Sequence, residues 1–473
     1  MSPQHRRRIR RSEVAAWPQT ERRLRFAIVV AFLFACLISG GSGRPDVQSL
    51  LYLRPLAVIC LAALLLTPGT WDFSRYRTLF ALLALFAATM AIQLVPLPPD
   101  LWLALPGHAR YAEAAAAAGI PQPWRPISLT PDLTWNSLVA LLPPLVVLVG
   151  MAGLDSGGRT SLLPVVLVGV VASALLAIAQ LSGGPNGPLY LYRITHNGAG
   201  VGFFANRNHQ AALLAVAFPL LRLWTLGPAR SADYARVRFW IAVAFGCFLI
   251  AAILVTGSRA GVLLGLIGLA FALLLAPIRL PDGGRRWWAA LVLALVAAPI
   301  LLGGIAILSG RAEAVRRLIV LSENYSAEQR LENMPTVLRL AGDFFPFGSG
   351  YGSFDPVFRG YETDTMLGPA YYNHAHNDPL ELVLTGGLPA ALVLLAFLLW
   401  AARRAYAAAI PYRERSHQTR YARAGAMTIL MLFAASLVDY PLRTPLLAAL
   451  FALACAWLAD SRAEAKRATS GAS

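Results

Sequence analysis

Charged residues are scarce in this chain. They make up 14% of its 473 residues, whereas apolar residues make up 57% and the mean hydropathy is +0.58. A soluble domain usually has about a quarter of its residues charged. The scarcity excludes a soluble two-domain enzyme, a disordered chain and a fibrous protein. It leaves a membrane protein that crosses the bilayer several times.

Cysteine pairs are missing as well. The four cysteines all lie inside apolar segments, and no two of them form a Cys-x-x-Cys pattern. We interpret them as small buried hydrophobic residues, which leaves neither a disulfide framework nor a cysteine metal site.

Lysine is almost absent too, with Lys466 alone among 41 basic residues, against 24 acidic ones. In a soluble protein a net charge of +17 would suggest nucleic acid. In a membrane protein, arginines mainly set the topology, so we predict no nucleic-acid partner.

Apolar runs of membrane-spanning length predict an all-α, polytopic protein with about twelve transmembrane helices. The predicted spans are residues 26–40, 50–67, 78–96, 136–152, 161–181, 208–224, 237–255, 260–276, 287–308, 379–402, 422–438 and 444–459. With a cytoplasmic N-terminus, about two thirds of the basic residues fall on the cytoplasmic side, as the positive-inside rule requires.

This topology divides the chain into a basic cytoplasmic N-tail (1–25), a transmembrane helical domain (26–460) and a cytoplasmic C-tail (461–473). The longest outer loop, 309–378, joins spans nine and ten, and long loops often carry function. The loop 97–135 is rich in Pro and Trp, which is typical of a lid that rests on the membrane surface.

The segment before the tenth span carries the most informative residues. Asp378 is suited to cap the helix, with Pro379 in its first turn and Glu381 completing a capping box. His376 precedes this helix N-terminus, where phosphate is attracted and an imidazole could take a proton from a hydroxyl. Two alternatives stay open, namely an interfacial His that only caps the helix and a His-x-His metal site formed with His374.

Further candidates lie at the ends of other predicted spans on the outer face. Arg259 lies in the connection between spans seven and eight, at the edge of the hydrocarbon. A charge there is costly unless it is paired or in contact with water. Residues 206–209 read Asn-Arg-Asn-His; either Asn could cap the sixth span, and Arg207 and His209 are expected at the outer surface. For each Arg or His, the alternative is a snorkelling or solvated side chain.

The long outer loop is expected to contain a short amphipathic helix that begins with a capping box at 326–329. Its predicted apolar face holds Leu331, Met334, Leu338 and Ala341. Arg330 and Arg339 lie off that face. The glycine-rich turn 345–354 that follows is either a phosphate-binding turn or a tight packing turn.

Titratable residues are nearly absent from the middles of the predicted spans. An ion-coupled transporter needs polar sites near the midplane, so the pattern disfavours that class. A purely structural membrane scaffold would leave the outer Arg and His residues unexplained.

Four segments together resemble the O-antigen ligase and polymerase superfamily of bacterial envelope glycosyltransferases. The matching segments are 202–209 (G-x-F-x-N-x-N-H), 258–261 (S-R-A-G), 345–354 (a P-x-x-G-x-G-x-G-x-F-like turn) and 374–381 (H-x-H-N-x-x-L-E). They define a ligase-like core at about 200–400. The chain departs from the family pattern at Pro379 and Pro389, and Pro389 should kink its helix near the glycine pair 386–387.

The resemblance implies a GT-C-like membrane fold with a long periplasmic loop between helices nine and ten, in the bacterial inner membrane. It implies transfer of a glycan from an undecaprenyl-diphosphate donor to an acceptor hydroxyl, by inversion and without metal or cofactor. By motif, His376 would be the general base, and Arg259 and Arg330 would hold the diphosphate, with Arg339 as a rival to Arg330. Further substrate contacts are expected from Arg207, His209, His374 and Asn377.

Two functions fit this resemblance equally well. A ligase would join the polymer to lipid A–core, whereas a polymerase would extend a lipid-linked polysaccharide for capsule or exopolysaccharide. Both use the same donor and the same residues. A transporter of lipid-linked sugars is a more distant alternative, because it needs a polar path through the midplane.

Overall fold

The structure, a computed structural model, describes residues 19–185, 187–276, 325–366, 372–409 and 417–460. In these residues the chain is helical except for loops and one antiparallel strand pair, β1 (Pro96–Leu97) with β2 (Arg125–Pro126). The helices are α1 (Gln19–Ser39), α2 (Leu50–Leu66), α3 (Arg77–Gln93), α4 (Pro99–Leu103), α5 (Ala109–Ala117), α6 (Pro131–Val139), α7 (Leu142–Gly153), α8 (Ser156–Ser182), α9 (Arg207–Thr225), α10 (Ala232–Thr256), α11 (Arg259–Leu275), α12 (Tyr325–Asp343), α13 (Phe354–Arg359), α14 (Asp378–Ala409), α15 (His417–Ser436) and α16 (Pro445–Asp460). Short 3₁₀ turns lie at Phe73–Tyr76, Asp364–Met366 and Pro441–Arg443.

Every predicted span overlaps a helix except 287–308, which lies outside the described residues. Within the described part, five helical segments are long and apolar enough to cross a bilayer: Phe73–Gln93, Pro131–Gly153, Ser156–Ser182, Ala232–Val255 and Asp378–Ala409. An all-α polytopic membrane protein is thereby confirmed. The number of twelve crossings, the GT-C-like topology and the domain limits stay predictions.

Helices α9 and α16 form the centre of the bundle. Nearly all side chains of α9 from His209 to Leu223 are buried, and so are most of those of α16. α9 packs against α8, α10, α11 and α15, and α16 packs against α7 and α15. A helix that is buried along nearly its whole length lies in the interior of a bundle, with other helices rather than lipid around it. Outer helices instead expose apolar side chains such as Leu66, Val168 and Leu399, as a lipid-facing surface requires.

The same end of the bundle gathers the start of α9, the end of α10, and the starts of α11, α14 and α16. Their alternating directions bring these termini together. We call this the site end. Gly40 O accepts a hydrogen bond from Leu446 N (3.0 Å), and Gly41 O accepts one from Ala205 N (3.1 Å), so the end of α1 is joined to it as well.

Helix α14 breaks at the glycine pair, as predicted. Gly387 has φ +62° and ψ −155°, which are not helical values. Pro389 has no N–H to offer Thr385 O, which would be its partner in a regular helix. Gln93 Nε2 and Gly350 N donate to that oxygen instead, each at 2.9 Å. The break is therefore held open by donors from outside the helix.

The glycine-rich turn packs tightly. Gly348, Gly350 and Gly352 all have positive φ. A Cβ on them would collide, respectively, with the backbone of Thr385, with Ser128 and with Leu133. Of the two interpretations open for this turn, the structure favours the packing turn.

The amphipathic helix of the long loop exists as α12, but its buried face is rotated from the predicted one, of which only Ala341 packs against the buried cluster. Leu331 and Leu338 are exposed, whereas Val337, Leu340 and Phe344 are buried. α12 packs against α14 through the face that holds these three residues. A helix with apolar residues on two neighbouring faces does not reveal from its sequence which face its neighbour covers.

We predict that Gly387→Ala lowers the free energy of unfolding by about 2 kcal/mol or more, since this backbone region is almost exclusive to glycine. The added methyl would also meet the Pro346 carbonyl. Gly342→Ala is the matched control, because nothing lies within 4 Å of its Cβ position in α12. Thermal unfolding in detergent measures both variants. Equal unfolding temperatures would contradict the prediction.

Candidate active site

The site end is organised around Asp439, a buried carboxylate in the loop between α15 and α16. Asn206 Nδ2 (3.1 Å) and Asn208 Nδ2 (2.6 Å) donate to its Oδ2. Tyr440 N donates to Oδ1 (3.0 Å), and His376 Nδ1 lies 3.2 Å from the same oxygen. Four groups thus satisfy one buried acid.

The charge state of Asp439 follows from its neighbours. Burial by itself would raise the pKa of Asp439, but the imidazoles of His209 and His376 hold it well below its ordinary value. His209 Nε2 lies 3.8 Å from Oδ1. Asp439 is therefore an anion at neutral pH.

A chain of hydrogen bonds joins Asp439 to two helix N-termini. Asn206 caps α9, because its Oδ1 accepts from Asn208 N at 2.8 Å. Ser258 caps α11 through Gly261 N (3.0 Å), and its Oγ donates to Asn208 Oδ1 (2.7 Å). Two of the sequence segments that carried the resemblance therefore meet at this carboxylate. Arg259 directly follows Ser258 as the first residue of α11, and it is half-buried.

His376 adopts a strained backbone conformation. Its φ is +49°, and it is the only non-glycine residue with positive φ in the described part of the chain. Such a conformation costs about 1–3 kcal/mol and persists only when the surroundings hold it. On one side, Glu381 Oε2 accepts from Ala375 N at 2.9 Å, and on the other, Asn377 Oδ1 accepts from Leu380 N at 3.0 Å.

The helix start after His376 differs from the prediction by one residue. Asn377 caps α14 and Asp378 is its first residue, so the assignment of Asp378 as the cap is wrong. Asp378 Oδ1 instead accepts from Arg443 Nε at 2.8 Å. Arg443 Nη2 also lies 3.0 Å from Glu381 Oε1, which in turn lies 3.1 Å from His374 Nδ1. The long-range ion pair takes Asp378 away from the local capping role.

Tyr440 is the aromatic spacer between three imidazoles. Its ring centroid lies 4.3 Å from that of His374, 5.1 Å from that of His376 and 5.1 Å from that of His209. This packing keeps the imidazoles apart while they share one small volume.

The tautomer of His376 leaves Nε2 able to accept a proton. Because Asp439 is an anion, Nδ1 of His376 carries the proton that faces it, which leaves the Nε2 lone pair unused by that bond. Burial lowers the pKa of His376, the bond to Asp439 opposes that shift, and the charge of Arg330 lowers the pKa further. A neutral imidazole at pH 7 is the result, and it is able to accept a proton.

The predicted arginines separate in space. Arg330 Nη1 donates to Val438 O at 3.0 Å, which places it beside Asp439 and within electrostatic reach of His376. Arg339 lies on an exposed face of α12, with 74% of its side chain exposed, and forms an ion pair with Asp343 at 3.8 Å. We call Asp439, His209, His376 and Tyr440 the cluster. Of the two rival arginines, Arg330 is the one that reaches it.

The remaining predicted residues lie around this cluster. Arg207 is the first residue of α9, and its N–H donates to His196 Nδ1 at 3.2 Å. His209 is buried, contrary to the expectation of an outer-surface position, because it lies beneath Tyr440 and beside Asp439. His374 lies 3.1 Å from Glu381 Oε1, and Asn377 caps α14.

Sequence reasoning missed Asp439, Tyr440, Arg443 and His196. A signal for Asp439 existed, since an acid at the end of an apolar span is costly without partners. His196 carried no local signal. Burial lowers its pKa to about 4, with Arg207 adding to the effect, and it interacts electrostatically with Asp439 and Arg330.

A comparison with protein families matches part of this site. Residues 241–395, about a third of the chain, match the family model described as O-antigen ligase. The match confirms the predicted resemblance to that superfamily and indicates a membrane glycosyltransferase of the ligase or polymerase type. A comparison with curated proteins finds no match to this chain.

The matched residues include Arg259, Arg330 and His376 but not Asp439 or the 206–209 segment. The site is therefore completed by residues on both sides of the matched stretch. Among the described residues, no group of three or more His, Cys, Asp or Glu side chains is arranged to hold a metal ion.

We predict that acid destabilises the protein partly through His196. Its folded pKa of about 4 lies below its ordinary value of about 6.5. Between these pH values the unfolded chain binds the additional proton, so stability falls as the pH drops from 7 to 5. His196→Gln should show a smaller fall in unfolding temperature over that range. A fall equal to that of the wild type would contradict this account.

Proposed function

We propose that the protein transfers a glycan from undecaprenyl diphosphate to an acceptor hydroxyl in the periplasm, as an O-antigen ligase. The observation that carries the proposal is the pairing of His376 with the anionic Asp439 in a cluster that Arg330 also reaches. This arrangement combines a base with a cation, which is what displacement of a diphosphate requires.

The proposed reaction is a single displacement at the anomeric carbon. The acceptor hydroxyl oxygen forms the new glycosidic bond while its proton passes to His376 Nε2. The bond between the anomeric carbon and the diphosphate oxygen breaks, and its electron pair leaves with undecaprenyl diphosphate. One displacement inverts the anomeric configuration. Asp439 stabilises the imidazolium that forms at His376.

Guanidinium groups balance the negative charge that grows on the leaving diphosphate. Their planar forks match phosphate oxygens, and they stay charged at every physiological pH. Arg330 reaches the cluster by donating a hydrogen bond to the backbone oxygen of Val438. Arg259 follows Ser258, whose hydroxyl is bonded to Asn208. We assign the diphosphate to these two arginines.

The site end faces the periplasm in this proposal, and both chain termini lie in the cytoplasm of a bacterium with the protein in its inner membrane. The partners are the lipid-linked donor, an acceptor on lipid A–core and the surrounding membrane lipid. No metal or cofactor takes part in the proposed reaction, because the arginines neutralise the diphosphate and the diphosphate bond supplies the driving force.

A transfer assay with undecaprenyl-diphosphate-linked glycan tests this function. We expect turnover by the purified protein to be unchanged by chelator and to fall at least ~100-fold in His376→Ala. In Asp439→Asn the acidic limb of kcat/KM should move to lower pH, because the charge that raises the pKa of His376 is gone. Full turnover by His376→Ala would contradict the assignment of His376 as the base. Loss of activity with chelator would contradict the metal-free mechanism.

Two arginines on α12 provide a matched comparison. Arg330→Lys should lower kcat/KM about tenfold or more, since the bidentate fork is lost although the charge remains. Arg339→Lys should leave the rate unchanged, because Arg339 pairs with Asp343 on the exposed face. The same assay measures both. A reversed order of effects would assign the diphosphate to Arg339.

A further inference from the structure

The loop between α8 and α9 is braced by one buried side chain, Gln180. Its Oε1 accepts from Val201 N (3.0 Å) and Gly202 N (2.9 Å), and its Nε2 donates to Leu189 O (3.0 Å) and Gly202 O (2.8 Å). A loop held in this way presents its side chains in fixed positions, and preorganised groups bind a ligand with little loss of entropy.

His196 is the titratable side chain that this loop presents to the cluster. Its N–H donates to Ala205 O at 3.0 Å, and Thr195 Oγ1 donates to the same oxygen at 3.0 Å. Its Nδ1 accepts from the backbone N–H of Arg207 at 3.2 Å. Part of the side chain is in contact with solvent, although protein atoms and the charged groups of the site surround the ring closely enough to desolvate it.

The bond from Arg207 determines where the proton of His196 lies. A backbone N–H is always a donor, so Nδ1 must be the acceptor and the proton of the neutral ring must be on Nε2. Protonation of Nδ1 would break that bond and would add a positive charge near Arg207 and Arg330. Burial and the charge of Arg207 lower the pKa of His196 to about 4, with a smaller lowering from Arg330, although Asp439 opposes them.

We infer that His196 is a neutral hydrogen-bond donor to the diphosphate of the lipid-linked substrate, through Nε2–H. The inference rests on the proposed function. Arg207 lies against His196 through the 3.2 Å bond from its backbone N–H to Nδ1, and Arg330 donates to Val438 O, next to Asp439, at 3.0 Å. Two arginines therefore stand against the single carboxylate of Asp439 around this place, so the ligand group that suits it is an anion. A neutral donor adds a bond to a phosphate oxygen without a further positive charge next to two arginines.

Binding of farnesyl diphosphate to the full-length protein in detergent tests the inference without turnover. His196→Ala should weaken binding about tenfold, the typical effect of one hydrogen bond to a charged group. His196→Gln keeps an N–H near the position of Nε2 and should restore most of the affinity. His417→Ala, at the far end of α15, is the control and should bind as the wild type does.

The transfer assay supplies a second measurement. The KM for the donor should rise in His196→Ala, the KM for the acceptor should not, and the pH profile between 6 and 8 should keep its shape. Unchanged diphosphate binding in His196→Ala, or equal losses in the Ala and Gln variants, would overturn the inference.

The same experiments separate the two proposals. If the wild type binds farnesyl diphosphate with the expected variant pattern but transfers no glycan, the proposed transfer fails and the role of His196 stands. If the wild type transfers glycan and His196→Ala binds normally, the transfer stands and the role of His196 fails. A wild type that binds no diphosphate overturns both.

Discussion

Asp439 carries a negative charge in a place from which the protein excludes most water. A buried carboxylate is stable only where donors and cations surround it. Here the donors come from the start of α9 and from the segment before α14, and α11 joins through Ser258. Satisfying one anion therefore holds together segments that are 63 to 233 residues from Asp439 in the chain.

The same constraint explains the geometry of the candidate base. His376 has a backbone conformation that few non-glycine residues adopt, and the bonds at Ala375, Asn377 and Asp439 maintain it. The loop that carries Asp439 is fixed a second time through Arg443, which pairs with Asp378. A base held from both sides needs little reorganisation during proton transfer, and preorganisation is the main way in which an enzyme lowers such a barrier.

Helix α14 shows how the site depends on distant packing. The break at Gly387 is stabilised by Gln93 and by the glycine turn that follows α12. Arg330 belongs to that same α12 and reaches Val438. The turn thus connects α12, which carries an arginine at the cluster, to the break in α14. A motif that suggested phosphate binding acts in this way through packing.

The sequence by itself determined the helical class, nearly every apolar helix in the described part, an asparagine cap at 206 or 208 and the kink in α14, because hydropathy, capping and proline act over a few residues. Only the tertiary structure decided that Asp439 joins the segments, that Arg330 rather than Arg339 reaches them and that Asp378 leaves its capping role to Arg443. These pairings involve groups far apart in the chain. Their energies depend on burial and distance, which local sequence patterns do not contain.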